Sequence, residues 1–107
     1  MLEPGLDRHE WETQWQALEP LLEDSPTEAL PEAVALIGGI LGEIGLDPDD
    51  DTRLAEDWGE LLLEFRRARE TARVLERGDD FDPGDVGAAV RGLQTVYDEL
   101  MAEYRAS

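Results

Sequence analysis

The sequence predicts an all-α protein, an antiparallel four-helix bundle with up-down connectivity. Four segments carry apolar side chains at the 3.6-residue period of a helix, and none alternates as a strand would. The connections between them are short, which favours antiparallel packing of consecutive helices. A chain of 107 residues suits one domain, 1–107, with residues 1–6 as an N-terminal tail. The expected helices are about 8–19, 31–44, 52–77 and 82–105.

The first predicted helix is short and begins after Asp7. Asp7 as N-cap and Glu10 three residues later form the pattern of a capping box, in which both side chains accept hydrogen bonds from free backbone N–H groups. Pro20 has no N–H to donate to the carbonyl of Gln16, so we expect the helix to end near Glu19. The apolar face of this helix consists of Trp11, Trp15, Leu18 and Leu22.

The second helix has two candidate starts. Ser25 followed by Pro26 is the pattern of a capped helix with proline at its first position, but Pro31 fits a first turn equally well. We favour a single turn at Pro26 followed by a helix that begins at Pro31, over one distorted helix from Pro26. Gly45 is expected to end the helix in a left-handed conformation. The inner face is Leu30, Val34, Ile37, Leu41 and Ile44, and further apolar residues broaden it, which predicts that this helix is central.

Three glycines interrupt the same helix. Gly38, Gly39 and Gly42 each cost about 1 kcal/mol relative to alanine in a helix interior. The usual compensation is close approach of another helix to the bare backbone, which we therefore expect at all three positions. The apolar run 33–41 is shorter than the about 20 residues that span a bilayer, so no membrane segment is predicted.

The third and fourth helices have the strictest apolar spacing. On the third, which Gly78 is expected to end, the seam is Leu54, Trp58, Leu61, Phe65, Ala68, Ala72 and Leu75. On the fourth, which Asp82 caps before Pro83, it is Val86, Val90, Leu93, Tyr97, Leu100 and Tyr104. Apolar residues outside these seams predict a second apolar strip, and hence a homodimer through helices three and four. The strip consists of Leu63, Val74, Val96 and Met101.

The charge balance disfavours several classes of partner. The chain has 27 acidic and 9 basic residues, all nine arginine, and a formal net charge of −18. A field of this sign repels nucleic-acid phosphates and anionic lipid, so we expect no direct nucleic-acid or membrane binding. There is no cysteine, hence no disulfide or thiolate site. The N-terminal residues lack the features of a secretory signal, which predicts a cytoplasmic protein.

No residue pattern demands catalysis, a cofactor or a metal. The acids of 47–51 resemble the start of a calcium loop, but Thr52 and Trp58 occupy the positions that require glycine and glutamate. Segment 79–85 fails the same template. Capping of the following helices explains both acidic clusters more simply, and only weak divalent binding stays open. His9 is the only histidine, so neither a zinc nor a di-iron pattern is present. We predict that the chain is not an enzyme.

A strip of arginines is the candidate partner-binding site. Most of the positive charge lies in the second half of the third helix, where four arginines share one face: Arg66, Arg69, Arg73 and Arg77. Arginine forms bidentate contacts with carboxylate or phosphate, so the strip could dock an acidic partner or the acidic half of a second subunit. The simpler alternative is pairing within the helix, with Glu70 and Glu76, near the negative end of the helix dipole.

Several segments together resemble a family of short acidic all-helical proteins of high-GC Gram-positive bacteria. The resemblance covers most of the chain, implies a bacterial cytosolic origin and transfers no activity or site. The segments that carry it are His9-Glu10-Trp11 through Leu18-Glu19-Pro20, Glu28-Ala29-Leu30-Pro31-Glu32-Ala33, Phe65-Arg66-Arg67-Ala68-Arg69-Glu70, Glu76-Arg77-Gly78 and Tyr97-Asp98-Glu99-Leu100.

These features favour a non-catalytic protein–protein interaction module, homodimeric and acting in an unknown pathway. The alternative is an acidic mimic of DNA that inhibits a basic nucleic-acid-binding protein, which would require carboxylates spaced along one surface like phosphates. An enzyme that works through paired carboxylates ranks last, because no carboxylate is predicted to be buried and so none has a reason for a shifted pKa.

Overall fold

The protein is a bundle of four helices. The computed structural model describes residues 4–49 and 58–106, and within them there is no strand. Consecutive helices pack against one another, as the short connections predicted. The all-α four-helix fold is therefore confirmed. The helices are α1 (Pro4–Asp24), α2 (Pro26–Glu43), α3 (Gly59–Arg77) and α4 (Pro83–Ala106).

Helix α2 is the centre of the bundle, as its nearly continuous apolar sequence predicted. It packs against each of the other three helices, whereas α1 and α4 meet only sparsely. Its largest fully buried side chains are Leu30, Ile37, Ile40 and Leu41. A helix surrounded on three sides needs a broad apolar surface, and this explains why α2 lacks a clear polar face. Among the described residues, none of the helices combines the length and the hydropathy that a membrane span requires.

Helix α1 is longer at both ends than the sequence predicted. It begins at Pro4, so Asp7 lies inside the helix and is not its N-cap. It also continues through Pro20 to Asp24. Pro20 is exposed, so water can reach the carbonyl that loses its donor. Continuing the helix places Leu22 in the core with 2% of its surface exposed, and this burial offsets much of the cost of the proline.

Helix α2 begins at Pro26, so the favoured start at Pro31 was wrong. Ser25 occupies the N-cap position, and its carbonyl accepts a hydrogen bond from the N–H of Ala29 at 3.0 Å, although its side chain forms no cap bond. Ala29 and Leu30 are buried, and the first turn of the helix is what places them in the core. Pro31 is therefore accommodated inside a helix that tertiary packing extends.

Both predicted glycine caps are confirmed. Gly45 and Gly78 have φ angles of +83° and +75°, in the left-handed region that glycine favours. After each glycine the next N–H donates back into the last turn, from Leu46 to the carbonyl of Leu41 at 2.8 Å and from Asp79 to that of Val74 at 3.2 Å. This pairing satisfies carbonyls that would otherwise lack a donor at the helix ends.

The starts of α3 and α4 differ in how well the sequence located them. Helix α3 begins at Gly59, after a turn at Trp58. The predicted segment 52–57, including Leu54, lies outside the described residues. Helix α4 begins at Pro83, one residue after the predicted cap, and Oδ1 of Asp82 accepts a hydrogen bond from the N–H of Gly84 at 2.8 Å. The capped start of α4 is confirmed.

Close helix approach occurs at only one of the three α2 glycines. A Cβ atom on Gly38 would lie 3.3 Å from Cζ of Phe65 on α3. At Gly39 and Gly42 no atom of a neighbouring element lies within 4 Å of that position, and both residues are exposed. The expectation of close packing was wrong at these two positions because they lie on the solvent side of α2, while Gly38 faces α3.

Candidate functional site

The predicted arginine strip on α3 is partly engaged inside the chain. Arg69 donates two hydrogen bonds to the carboxylate of Asp49, from NH2 to Oδ1 at 2.6 Å and from NH1 to Oδ2 at 3.2 Å. The guanidinium also lies 5.7 Å from the centre of the Phe65 ring, within the range of a cation–π contact. Only 20% of the Arg69 side chain is exposed. Its planar fork is therefore already occupied by an internal carboxylate.

Two other arginines of the strip, Arg73 and Arg77, also have acidic neighbours. Arg73 lies 3.9 Å from Glu70, and Arg77 lies 4.0 Å from Glu70 and 2.9 Å from Asp79. These are exposed pairs, which contribute little to stability. The hydrogen bond to Asp79 raises the pKa of Arg77 above its ordinary value. The simpler alternative, pairing within the helix, thus occurs at Glu70, but the closer partners, Asp49 and Asp79, lie outside the helix.

The same arginines determine the electrostatics of Asp49. The hydrogen bond from Arg69 is the largest cause that lowers the pKa of this carboxyl below its ordinary value of 3.8. The charges of Arg66 and Arg73 lower it further, although partial desolvation opposes them. Three of the four strip residues therefore surround one aspartate of the α2–α3 connection. Binding of an external partner by Arg66, Arg69, Arg73 and Arg77 stays a prediction.

The predicted apolar strip on α3 and α4 was wrong in its α4 half. Val96 and Met101 have 0% and 2% of their surfaces exposed and belong to the core of the single chain. The reason is that α4 packs against both α2 and α3, so its buried face is wider than a single row of apolar residues at alternating spacings of four and three. Leu63 remains 41% exposed and Val74 is half-buried. The apolar surface that was expected to form a dimer is therefore reduced to α3.

A groove runs along the outer side of α3 and α4. Three adjoining depressions of about 420, 440 and 340 Å³ share lining residues and form one continuous surface, the α3–α4 groove. On α3 the lining residues include Glu60, Leu63, Glu64, Arg67, Glu70, Thr71 and Val74. On α4 and the preceding connection they include Asp80, Phe81, Asp82, Asp85, Ala88, Ala89, Thr95 and Glu99.

The groove combines exposed apolar side chains with an acidic rim. The large apolar side chains that are exposed in the described part of the chain are Leu21, Leu63 and Phe81, and the last two line the groove. Seven carboxylates and one arginine, Arg67, also line it. Arg67 lies 3.6 Å from Glu64 in an exposed pair, so its charge is already partly balanced. The groove is strongly negative around an apolar interior.

A bare backbone position shapes the middle of the groove. Gly92 of α4 faces α3, and a Cβ atom there would lie 2.5 Å from Oε2 of Glu64. Because glycine has no side chain, the carboxylate of Glu64 can lie across the helix interface, over α4. The groove was not predicted from the sequence. The available signal was the row of small residues at helical spacing on α4, Ala88, Gly92 and Thr95, opposite polar residues of α3 at the same spacing.

The remaining candidate residues form no reactive constellation. His9 is exposed on α1, and the described part of the chain contains no group of three His, Asp or Glu side chains that could hold a metal ion. Trp15 of α1 and Tyr97 of α4 stack with ring centres 4.5 Å apart and planes 10° apart. Burial, and secondarily the charges of Glu12 and Glu19, raise the pKa of Tyr97 to about 12. This pair joins two helices through packing and presents no nucleophile at neutral pH.

Comparison with known proteins yields no relative: no protein-family model matches the sequence, and neither a curated protein nor a solved structure is significantly similar to the chain. The resemblance to short acidic helical proteins of high-GC Gram-positive bacteria stays a prediction.

Proposed function

We propose that this chain is a non-catalytic protein–protein interaction module whose α3–α4 groove binds a partner protein. The observation that carries the proposal is the exposure of Leu63 and Phe81, at 41% and 45%, within one concave surface. Exposed apolar groups in a groove rimmed by polar residues are typical of protein-binding surfaces, because burying them against a partner removes apolar area from water.

The charge of the groove favours a partner of different sequence over a second copy. A two-fold dimer that buried this face would place the same seven carboxylates of each subunit against one another. Like charges brought together in a partly desolvated interface repel strongly. The burial of Val96 and Met101 within one chain also removes half of the apolar strip on which the expectation of a homodimer rested. We therefore propose a heterologous complex.

The proposal is tested by capture with matched surface variants. The tagged chain is expressed in its native cells, and stably bound proteins are identified by mass spectrometry. The groove variant carries Leu63→Ser and Phe81→Ser. The matched control carries Leu21→Ser, which removes an equally exposed apolar side chain, 47% exposed, from α1. We expect a protein that the parent and the control retain and the groove variant loses.

Two results would count against the proposal. The first is that no protein copurifies with the parent chain in a constant ratio to it. The second is that the groove variant and the Leu21→Ser control lose their partners equally. The alternative function is separated by combining the groove variant with competition by duplex DNA. An acidic DNA mimic would keep its partner in the groove variant and release it when DNA is added, whereas a partner bound in the groove would be lost from the groove variant without DNA.

A further inference from the structure

The α3–α4 groove has the length of a short helix. Its α3 wall extends from Glu60 to Val74, a rise of about 21 Å at 1.5 Å per residue. Exposed apolar groups lie towards both ends, with Leu63 near one and Phe81 near the other. Between them the α4 wall carries small side chains, among them Ala88 and Ala89. At these two positions a second helix could therefore approach the backbone of α4 closely, whereas one turn further on the Glu64 carboxylate lies over Gly92.

The rim of the groove requires positive charge from its occupant. Glu60 and Glu99 lie at one end and Asp85 at the other, and none of the three forms an ion pair with an arginine in the described part of the chain. A neutral or acidic occupant would bring these carboxylates into a less polar environment without compensation. An occupant with basic residues beside its apolar face would pair with them and would also associate faster.

We infer that the α3–α4 groove binds a basic amphipathic helix of a partner protein, with apolar side chains between Leu63 and Phe81 and lysines or arginines against Glu60, Asp85 and Glu99. This inference rests on the proposed function and specifies the chemistry of the partner. Recognition of an amphipathic helix in a groove uses apolar anchors at helical spacing, and the surrounding charges select the sign of the partner.

The test uses a synthetic helix as the probe. A fluorescently labelled peptide of about 14 residues carries leucine at a three-four helical spacing and lysine at the other positions. One comparison peptide replaces every lysine by glutamate, and another replaces every leucine by serine. Binding to the intact chain is measured by fluorescence anisotropy. We expect saturable binding of the leucine-lysine peptide alone, because neither comparison peptide satisfies both the apolar interior and the acidic rim.

Matched charge variants distinguish the groove from the general acidity of the protein. The groove variant is Glu60→Gln, Asp85→Asn and Glu99→Gln. The control removes three exposed carboxylates from α1 and α2 by Glu23→Gln, Glu28→Gln and Glu32→Gln. Both variants change the net charge equally. The groove variant removes two acids from the first turn of a helix, Glu60 and Asp85, and the control removes one, Glu28, so urea denaturation first checks that both variants are folded. We expect the peptide to bind the groove variant about tenfold more weakly, and the control within about twofold of the parent.

The outcomes separate the inference from the proposed function. Equal weakening in the two charge variants, or equal binding of the leucine-glutamate peptide, would overturn the inference. Failure of the leucine-lysine peptide to bind would also overturn the inference. If the capture experiment nevertheless finds a partner that depends on Leu63 and Phe81, the proposed function stands without it. If capture finds no such partner, the proposed function fails independently of the peptide result.

Discussion

Arg69 of α3 binds both carboxylate oxygens of Asp49, a residue 20 positions earlier in the chain, at 2.6 and 3.2 Å. The contact joins the α2–α3 connection to the middle of α3. Bidentate geometry also fixes the direction of the guanidinium, which lies over the Phe65 ring. Arg69, which was predicted from the sequence to dock a partner, is therefore positioned by an internal carboxylate.

The Asp49–Arg69 pair should make stability depend on pH in one direction. The folded state lowers the pKa of Asp49 below 3.8, so the ionised form stabilises the fold above that value, and this contribution is lost as the pH falls through the folded pKa. We expect Asp49→Asn to lower the urea midpoint at about pH 7 and to have much less effect near pH 3, when both proteins are compared at each pH.

A single-charge control separates this effect from the overall acidity. Glu23→Gln removes an exposed carboxylate from α1. Its urea midpoint should equal or exceed that of the parent at neutral pH, because it reduces the repulsion within a chain of net charge −18. A loss of stability in Asp49→Asn that is the same at both pH values would contradict the assignment.

The three α2 glycines should respond differently to alanine. Gly39→Ala and Gly42→Ala each place a methyl group in open space, so each should raise the free energy of unfolding by about 0.5 to 1 kcal/mol. At Gly38 the new methyl group would press on the buried Phe65 ring, so the gain should be smaller or reversed. Chemical denaturation of the three single variants measures the order. Equal gains at all three positions would show that α2 and α3 are not tightly packed at Gly38.

Adjacent leucines of α3 should differ sharply in their contribution to stability. Leu62 is fully buried, at 0% exposure, whereas Leu63 is 41% exposed in the groove. Leu62→Ala should lower the free energy of unfolding by about 3 kcal/mol because it leaves a cavity in the core. Leu63→Ala should change it by less than about 0.5 kcal/mol. Urea denaturation distinguishes them, and a large loss for Leu63→Ala would show that its exposed face is covered in solution, for example by another copy.

Tyr97 should titrate far above an ordinary tyrosine. In a Tyr104→Phe background its phenol should ionise with a pKa of about 12, detected by the ultraviolet absorbance of tyrosinate. Because the unfolded phenol ionises near its ordinary value of 10.0, stability falls as the pH rises from that value towards the folded pKa. In the same background, Tyr97→Phe should lose less stability over this interval. Ionisation of Tyr97 near its ordinary value would contradict its burial against Trp15.

The helix ends predicted from the sequence were correct where they depend on residues close together in the chain, and wrong where they depend on distant residues. The glycine caps at Gly45 and Gly78 and the Asp82 cap were predicted correctly, because their hydrogen bonds involve residues a few positions apart. The helix ends at Pro20 and Pro31 were wrong. In both places burial of nearby residues, Leu22 in α1 and Leu30 in α2, offsets the local cost of proline, and the local sequence does not specify that burial.

The candidate sites show the same limit. The arginines of α3 were visible in the sequence, but the choice of Asp49 as the partner of Arg69 depends on where the α2–α3 connection lies. The small residues of α4 were visible in the sequence, but the groove depends on which faces of α3 and α4 meet, and the position of Glu64 beside Gly92 is known only from the structure. Sequence periodicity identifies the apolar side of each helix but not the width of the surface that its neighbours cover.

The sequence by itself determined that this protein has four helices around one apolar core, and that its surface is strongly acidic, because periodicity and composition are properties of the chain alone. Only the tertiary structure decided that Val96 and Met101 belong to the core while Leu63 and Phe81 stay exposed in a groove. The physical reason is that burial depends on how many neighbours pack against a helix, and α2 and α3 together cover a wide face of α4.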